Sequence, residues 1–408
     1  MKKRAISSIF QNRSILFLFF LISYSFAHCQ SVKVQPQRVI ILMLDGFGEA
    51  YYRNSSMPNL NELENKGIFK VVPSLMPSVT NLNNASIATG LLPNIHGITG
   101  NSFVDPVTGL EEFMEASNLL LAPTIFQRAK QQGVESVLFS SKKKSIGLLY
   151  KGTTDTLSPE TASDAWKTKL GSPPSIYSCE VNFWLMEAAL YSIQKDTSIR
   201  LFYIHTTDYP MHTWAPENDT MKTYLHQLDK YIGKIKQVAP DAAILITADH
   251  TVNHKDACWD LNKACKNRNI PIRMAISPER DKYFKHHRGF GGSAYVYLQN
   301  QQDLWQVKQS LKKLPGIEEV LTKKEAAKRF NLMPSRIGDL IVLGDNKTVF
   351  GDLQSEEYEK LPANYRTHGS SYEARVPIFI YNAHNAPPAY YFNFNYQVAA
   401  WLYPSSNN

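Results

Sequence analysis

An α/β fold with a mainly parallel central sheet flanked by helices is predicted by three segments of the 408-residue chain. Arg38-Val-Ile-Ile-Leu-Met-Leu44, Arg200-Leu-Phe-Tyr-Ile-His205 and Ala242-Ala-Ile-Leu-Ile-Thr-Ala248 are continuous apolar runs of strand length, without the alternation of a half-exposed strand. A strand buried on both faces of a parallel sheet needs that pattern. Each run leads into acidic and imidazole side chains: Asp45 after the first, Asp208 and His212 after the second, Asp249 and His250 after the third. Ligands of open α/β sheets gather at the carboxyl ends of the strands, so these residues are expected on one rim.

The chain begins Met1-Lys-Lys-Arg4 and continues through the apolar run Ser14-Ile-Leu-Phe-Leu-Phe-Phe-Leu-Ile-Ser-Tyr-Ser-Phe-Ala27. A basic start, a short apolar stretch and a small-residue end describe a secretory signal, so residues 1–27 predict export to the periplasm or beyond. The run is too short for a bilayer span, and no integral membrane span is expected in the mature chain. Cys29 could take a lipid, but His28 before it makes a poor lipobox. Removing Lys2, Lys3, Arg4 and Arg13 takes the formal charge from +8 to +4. So mild a charge argues against a nucleic-acid polymer as partner. The rest is long enough for one large α/β domain with an inserted subdomain.

A single Asp after a strand is commonly a helix cap or turn residue, a reading that weakens when it must hold three times. Asp208 and His212 stand four apart, about one helical turn, which suits a shared metal, while adjacent Asp249 and His250 require a tight loop. Carboxylates and imidazoles without thiolates fit zinc, although manganese or iron would accept the same atoms. Met76-Pro-Ser-Val-Thr80 precedes an expected helix over roughly 83–89. Free N–H groups at a helix start stabilise an alkoxide and a phosphate, making Thr80 the best nucleophile in the chain; the other reading of its hydroxyl is an N-cap.

In Val137-Leu-Phe-Ser-Ser-Lys-Lys-Lys-Ser-Ile-Gly147 a strand pattern breaks into a basic loop. Three consecutive lysines are commonly a solvated cluster. At a strand's carboxyl end, however, an extended loop would point Lys142 and Lys144 the same way, over the metal ligands, where they could clamp a small dianion. Among the other histidines, His96 is expected to brace its loop, His205 to be a satisfied core residue, His226 to lie on an exposed helix and His254 to line the pocket. Cys258 and Cys265 could close a small loop or remain free thiols.

Residues 259–362 fall where the candidate ligands jump from His250 to His368, and they predict an inserted α+β cap. Ala294-Tyr-Val-Tyr-Leu298 alternates like a strand, Asp303 to Leu314 reads as an amphipathic helix and Gly338-Asp-Leu-Ile-Val-Leu-Gly344 as a further strand, together a βαβ cap over the site. His286, His287 and Arg288, beside the glycines at 289, 291 and 292, are expected as solvated loop residues, with an anion contact as the alternative.

From about Arg38 to about Pro377 the chain resembles the alkaline phosphatase superfamily, in particular its nucleotide pyrophosphatase/phosphodiesterase branch and the phosphonoacetate hydrolases near it. The resemblance implies an alkaline-phosphatase-like core over 28–258 and 363–408. It implies Thr80 as nucleophile and Asn101, in the His-Gly-x-x-x-Asn segment, as donor to the phosphoryl oxygen. It further implies two zinc ions, one on Asp45, Thr80, Asp249 and His250, the other on Asp208, His212 and His368. Two metals about 4 Å apart can activate the hydroxyl and stabilise the leaving group.

Lys142 and Lys144 match a Lys-x-Lys pair that binds the substrate carboxylate in phosphonoacetate hydrolases. The Ser-Val-Thr-Asn-Leu-Asn-Asn motif, Gly-Ile-Thr-Gly-Asn101 and Thr206-Thr-Asp-Tyr209 also look more like that family than like diesterases. A small anionic phosphonate or phosphodiester is thus the expected substrate, phosphonoacetate first. The alternative is a phosphodiesterase or pyrophosphatase acting on nucleotides or lipid headgroups, which the export signal favours, since phosphonoacetate hydrolases are usually cytoplasmic. A third reading is a non-catalytic anion binder that kept the fold.

Overall fold

The structure is a computed structural model that describes residues 36–283 and 285–404. The secretory reading of residues 1–27 and the lipidation question at Cys29 lie outside the described residues. Among the described residues no helix is long and apolar enough to cross a membrane.

The chain forms the expected α/β fold around a seven-stranded, mainly parallel sheet. In spatial order its strands are Ile68–Pro73, Arg375–Tyr381, Ala243–Thr247, Val39–Met43, Ile199–His205, Glu135–Ser140 and Asp155–Leu157. All are parallel except Arg375–Tyr381, which runs against both its neighbours. The three apolar runs occupy adjacent central positions. Ile40, Ile41, Leu42 and Met43 have no exposed surface, and neither do Ile244, Leu245 and Ile246. Burial on both faces is the reason these segments do not alternate.

Register brings the strand ends level. Met43 pairs with His205 on one side and with Thr247 on the other, so the residues that follow all emerge at the same edge. The helices Glu180–Lys195 and Asp219–Val238 pack on each other, and Pro58–Lys66 packs on the second of them. The helix Thr80–Thr89 is tied to the sheet where the Tyr203 hydroxyl donates to Asn84 Oδ1 at 2.7 Å.

A second, four-stranded antiparallel sheet has the order Ile272–Ile276, Ser293–Leu298, Leu340–Gly344, Ile317–Thr322. The expected βαβ unit is present in split form. Its second strand is Ile317–Thr322, reached through the helix Leu304–Leu311, and Leu340–Gly344 inserts between the two parallel strands, antiparallel to both. Ile317–Thr322, with two adjacent glutamates and a register shift between Ile317 and Glu319, carries no clean alternation in its sequence. Cys258 and Cys265 are both buried free thiols.

Candidate active site

The first strand ends in a turn built on Gly46. Its φ is +75°, and a Cβ there would lie 3.1 Å from Asp208 Cβ, so the position needs glycine both for its backbone and for its closeness to the neighbouring ligand loop. The Asp45 amide donates to Thr206 Oγ1 at 3.0 Å and the Gly46 amide to Asp249 Oδ1 at 3.1 Å. These two bonds lock the three strand-end loops together. Asp208 precedes the short helix Tyr209–Thr213 but makes no side-chain cap bond, which leaves its carboxylate facing His212, Oδ2 to Nε2 2.9 Å.

Three histidines share one arrangement. His212 Nδ1 lies 2.7 Å from the Arg366 carbonyl, His250 Nδ1 3.0 Å from the Thr251 carbonyl and His368 Nδ1 2.8 Å from the Ser78 carbonyl. A carbonyl can only accept, so each ring donates its Nδ1–H and turns its Nε2 toward the site. Metal-ligating histidines are oriented in this way. His250 Nε2 stands 3.3 Å from Asp249 Oδ2, 3.5 Å from Asp45 Oδ1 and 3.4 Å from Thr80 Oγ1. His368 Nε2 lies 3.8 Å from Asp208 Oδ2.

Asp45 Oδ1 and Asp249 Oδ2 are buried without a hydrogen-bond partner. Burial together with the carboxylates of Asp45 and Asp208 pushes the Asp249 pKa well above the ordinary range, the response of a carboxylate crowded by like charge. Potential ligand atoms of Asp45, Asp249 and His250 lie within 4.8 Å of one another, as do those of Asp208, His250 and His368 and those of Asp208, His212 and His286. Orphaned oxygens and oriented imidazoles in groups of this size fit divalent cations. The structure therefore brings all six expected carboxylate and imidazole residues, and Thr80, to one place.

Thr80 is the first residue of the helix Thr80–Thr89, which begins three residues earlier than the sequence suggested. The extra turn is stabilised by its asparagines. Asn81 Nδ2 donates to the Met114 carbonyl at 2.9 Å, and Asn83 Oδ1 accepts from the Leu75 amide at 2.9 Å. The helix has no side-chain cap, so the Thr80 hydroxyl is free of the N-cap role. Asn101 sits beside it, its Oδ1 accepting from the Asn81 amide at 2.9 Å. Its amide group donates to the Glu279 carbonyl at 3.0 Å and to Glu279 Oε2 at 3.2 Å.

The lysines are not in an extended loop. Lys142 occupies the N-cap position of the helix Lys143–Leu149, and Lys144 lies within its first turn. Nor do they form a solvated cluster: Lys142 and Lys144 are buried and only Lys143 is exposed. Lys142 Nζ contacts Asp208 Oδ1 at 2.8 Å and Asp45 Oδ2 at 3.3 Å, while Lys144 Nζ pairs with Asp281. Burial opposes charge on Lys142, but Asp208 and Asp45 hold its pKa well above the usual lysine value.

His205 is buried and satisfied as expected, yet its partners matter to the site, Asp45 Oδ2 at 3.1 Å and Ser140 Oγ at 3.1 Å. His96 braces its loop through Ser86 Oγ at 2.7 Å and the Ile98 amide at 3.1 Å. His226 is half-buried and meets the Ser56 carbonyl. His254 does not line the site; it is engaged with Asp256 and Lys347. His286 and His287 are not solvated either. His286 Nε2 faces Asp208 Oδ1 at 3.4 Å, and His287 lies between Glu279 and Asp281.

Sequence reasoning missed Glu279 and Asp281. Both are 2% exposed at the side chain, and Glu279 Oε1 is 3.1 Å from His368 Nε2. Burial works against charge on His368, but Glu279 beside it pushes its pKa up to about 9. The neighbouring His286-His287 pair was the only signal that this stretch is chemically engaged.

A family model described as type I phosphodiesterase / nucleotide pyrophosphatase matches residues 39–371. Among solved structures, the phosphonoacetate hydrolase of Sinorhizobium meliloti, in complexes with phosphonoformate and with phosphonoacetate, superposes at a TM-score of 0.80 with 29% identity, over 90% of this chain and 95% of that one. A murine ectonucleotide pyrophosphatase/phosphodiesterase superposes at 0.64 with 16% identity over 89% and 93% of the two chains, a likeness of fold alone. A bis(5'-adenosyl)-triphosphatase of Mus musculus is 25% identical over 262 residues, 60% of this chain and 51% of the relative. The chain thus spans about half the length of that curated relative.

Proposed function

This chain belongs to the type I phosphodiesterase/nucleotide pyrophosphatase family, and we propose that it is a metal-dependent hydrolase using Thr80 to cleave phosphonoacetate to acetate and phosphate. The observation that carries the substrate is the pair of buried ammonium groups, Lys142 and Lys144, each already holding carboxylates at the edge of the ligand cluster. Likeness to a phosphonoacetate hydrolase over 90% of the chain supports the same reading.

One divalent ion would be held by Asp45, Thr80, Asp249 and His250 and the other by Asp208, His212 and His368, zinc fitting these donors and manganese or iron being compatible with them. When bound, such a pair lowers the pKa of a coordinated hydroxyl and polarises phosphoryl oxygens. The Thr80 hydroxyl gives up its proton to solvent, Oγ1 attacks phosphorus in line, and the P–C bond breaks with its electron pair on the carbon. That carbanion is an enediolate, its charge spread into the carboxylate that Lys142 and Lys144 hold, and it takes a proton from solvent to leave as acetate. Water then hydrolyses phospho-Thr80, releasing phosphate and restoring the hydroxyl. Asn101 Nδ2, exchanging the Glu279 carboxylate for substrate, and the positive end of the helix Thr80–Thr89 hold the phosphoryl oxygens meanwhile. Export, read from residues 1–27, places this activity in the periplasm or outside the cell.

The second reading, a phosphodiesterase on nucleotides or lipid headgroups, draws on the family description and on the similarity to the Mus musculus triphosphatase. Phosphate release by the zinc-loaded mature chain separates the two, comparing phosphonoacetate with p-nitrophenyl phenylphosphonate and a nucleotide diester. Phosphate from phosphonoacetate, lost in Thr80→Ala, is the expected result. Turnover of the diesters alone moves the protein to the second reading, and turnover of none leaves an anion binder.

A further inference from the structure

His286 has no place in the reaction above, yet it is buried against the site. Its side chain is 4% exposed, and neither ring nitrogen has a hydrogen-bond partner. Burying a polar group in that state is costly, and native proteins rarely leave such groups without a purpose. The ring is fixed by packing, with centroids 5.6 Å from Tyr177, 6.2 Å from Tyr209 and 4.6 Å from His287. Its Nε2 points at Asp208 Oδ1, 3.4 Å away. Its ring stands 4.7 Å from that of His212, nearly perpendicular to it.

We propose that His286 is a ligand of the second metal ion, joining Asp208 and His212 through Nε2. The inference rests on the two-ion reading above and adds a residue to it. Potential ligand atoms of Asp208, His212 and His286 lie within 4.8 Å of one another, and His212 has committed its Nδ1–H to the Arg366 carbonyl, so both imidazoles can face a common ion. Two imidazole nitrogens and a carboxylate are a sufficient donor set for zinc, manganese or ferrous iron. With His368 the second ion would have four protein donors, so a phosphoryl oxygen would enter as a fifth, a number within reach of zinc, manganese and iron. The ion is also tied to the stretch bearing Asp281, the partner of Lys144, so that loading the ion fixes the carboxylate-binding end of the pocket.

The test is metal binding rather than turnover. The metal-free full-length protein is titrated with Zn2+ against a chromophoric chelator, as wild type, His286→Ala and His286→Asn, with circular dichroism and a thermal melt confirming that each variant folds. Wild type is expected to bind two ions, and both variants to weaken the second by about 10-fold or more, the scale of losses around metal ligands. In Co2+-loaded protein the visible absorption of the second ion should also change. Two ions bound by both variants at wild-type affinity, with an unchanged Co2+ spectrum, would overturn the assignment and leave the two-ion reading standing. A folded wild type that binds fewer than two ions would overturn both. His286→Asn decides the matter if His286→Ala does not fold.

Discussion

Glu373 offers a severe test of how the two ligand loops are held. Its carboxylate has no exposed side-chain surface and four donors. Oε1 accepts from Lys255 Nζ at 2.7 Å and Asn253 Nδ2 at 3.0 Å, and Oε2 accepts from the Ser370 amide at 3.0 Å and the Ser370 hydroxyl at 2.5 Å. Its own carbonyl accepts from the Thr251 amide at 2.8 Å. The residue therefore joins the loop after His250 to the loop after His368.

Truncation to Ala strands Lys255, equally buried, with only the Asn346 carbonyl at 3.2 Å as partner. Removing one member of a buried pair costs about 3–5 kcal/mol, because the other charge stays desolvated. At about 2.1 cal/mol/K per residue, the unit Pro36–Asn408 unfolds with an entropy of about 0.8 kcal/mol/K, so the loss lowers Tm by about 4–6 °C. Replacing both residues by Met removes the stranded charge and should recover most of the loss. Thermal melts of the two single variants and the double variant are the assay. A Glu373→Ala protein melting within about 1 °C of wild type, or a double variant no better than the single one, would refute the reasoning.

Asp229, fully buried on Asp219–Val238, accepts from the Asn59 and Leu60 amides at 3.0 and 2.8 Å and so caps Pro58–Lys66 from another helix. Asp229→Ala should cost about 1–3 kcal/mol by urea unfolding. Burial lowers the pKa of His96 to about 3, so between that value and about 6.5 the unfolded chain binds the extra proton. Stability should fall as pH drops through this window, by about 2 kcal/mol from pH 6.5 to 5, and a fully folded His96→Gln protein should lack that component when both are unfolded at a series of pH values. Stripping metal with a chelator should lower Tm and restoring Zn2+ should raise it, since a ligand of the native state alone stabilises it by mass action; a melt indifferent to both would count against a metal site.

The fold and the gathering of the candidate ligands at one rim were legible because one physical constraint writes both. A central parallel strand has to be apolar on both faces, and the polar residues just beyond it stand at the rim where ligands bind, so Asp45, Asp208 and Asp249 could be read off the ends of three apolar runs. Less was legible where a distant contact outweighs local preference. Asparagines are poor helix formers, and the start of Thr80–Thr89 was set late. Met114, Leu75 and Tyr203 hold those side chains by hydrogen bonds from outside the helix. The default reading of a His-Arg loop is solvent, and His286 is buried by Tyr177 and Tyr209, far away in sequence. Glu279 and Asp281 bore no local pattern at all. Acids in a loop acquire a role only once the fold brings His368 and Lys144 against them.

Lys142 is where the metal reading and the substrate reading meet. Its ammonium touches Asp45 Oδ2 and Asp208 Oδ1, so it neutralises one carboxylate from each candidate ion's ligand set. A divalent ion drawing on the same two carboxylates competes with Lys142 for their charge, and like charges at close range in a buried site repel strongly. On the proposed function, loading the site therefore frees the ammonium to take the substrate carboxylate. Lys142→Met keeps the apolar stem and removes the competitor. It should leave Zn2+ affinity unchanged or higher while abolishing phosphonoacetate cleavage and sparing a small aryl phosphodiester. Lys144→Ala, which removes the partner of Asp281, should show the same substrate selectivity. If Lys142→Met instead loosens Zn2+, the lysine supports the ligand carboxylates and does not clamp substrate; equal losses on both substrates would sink the clamp for either residue.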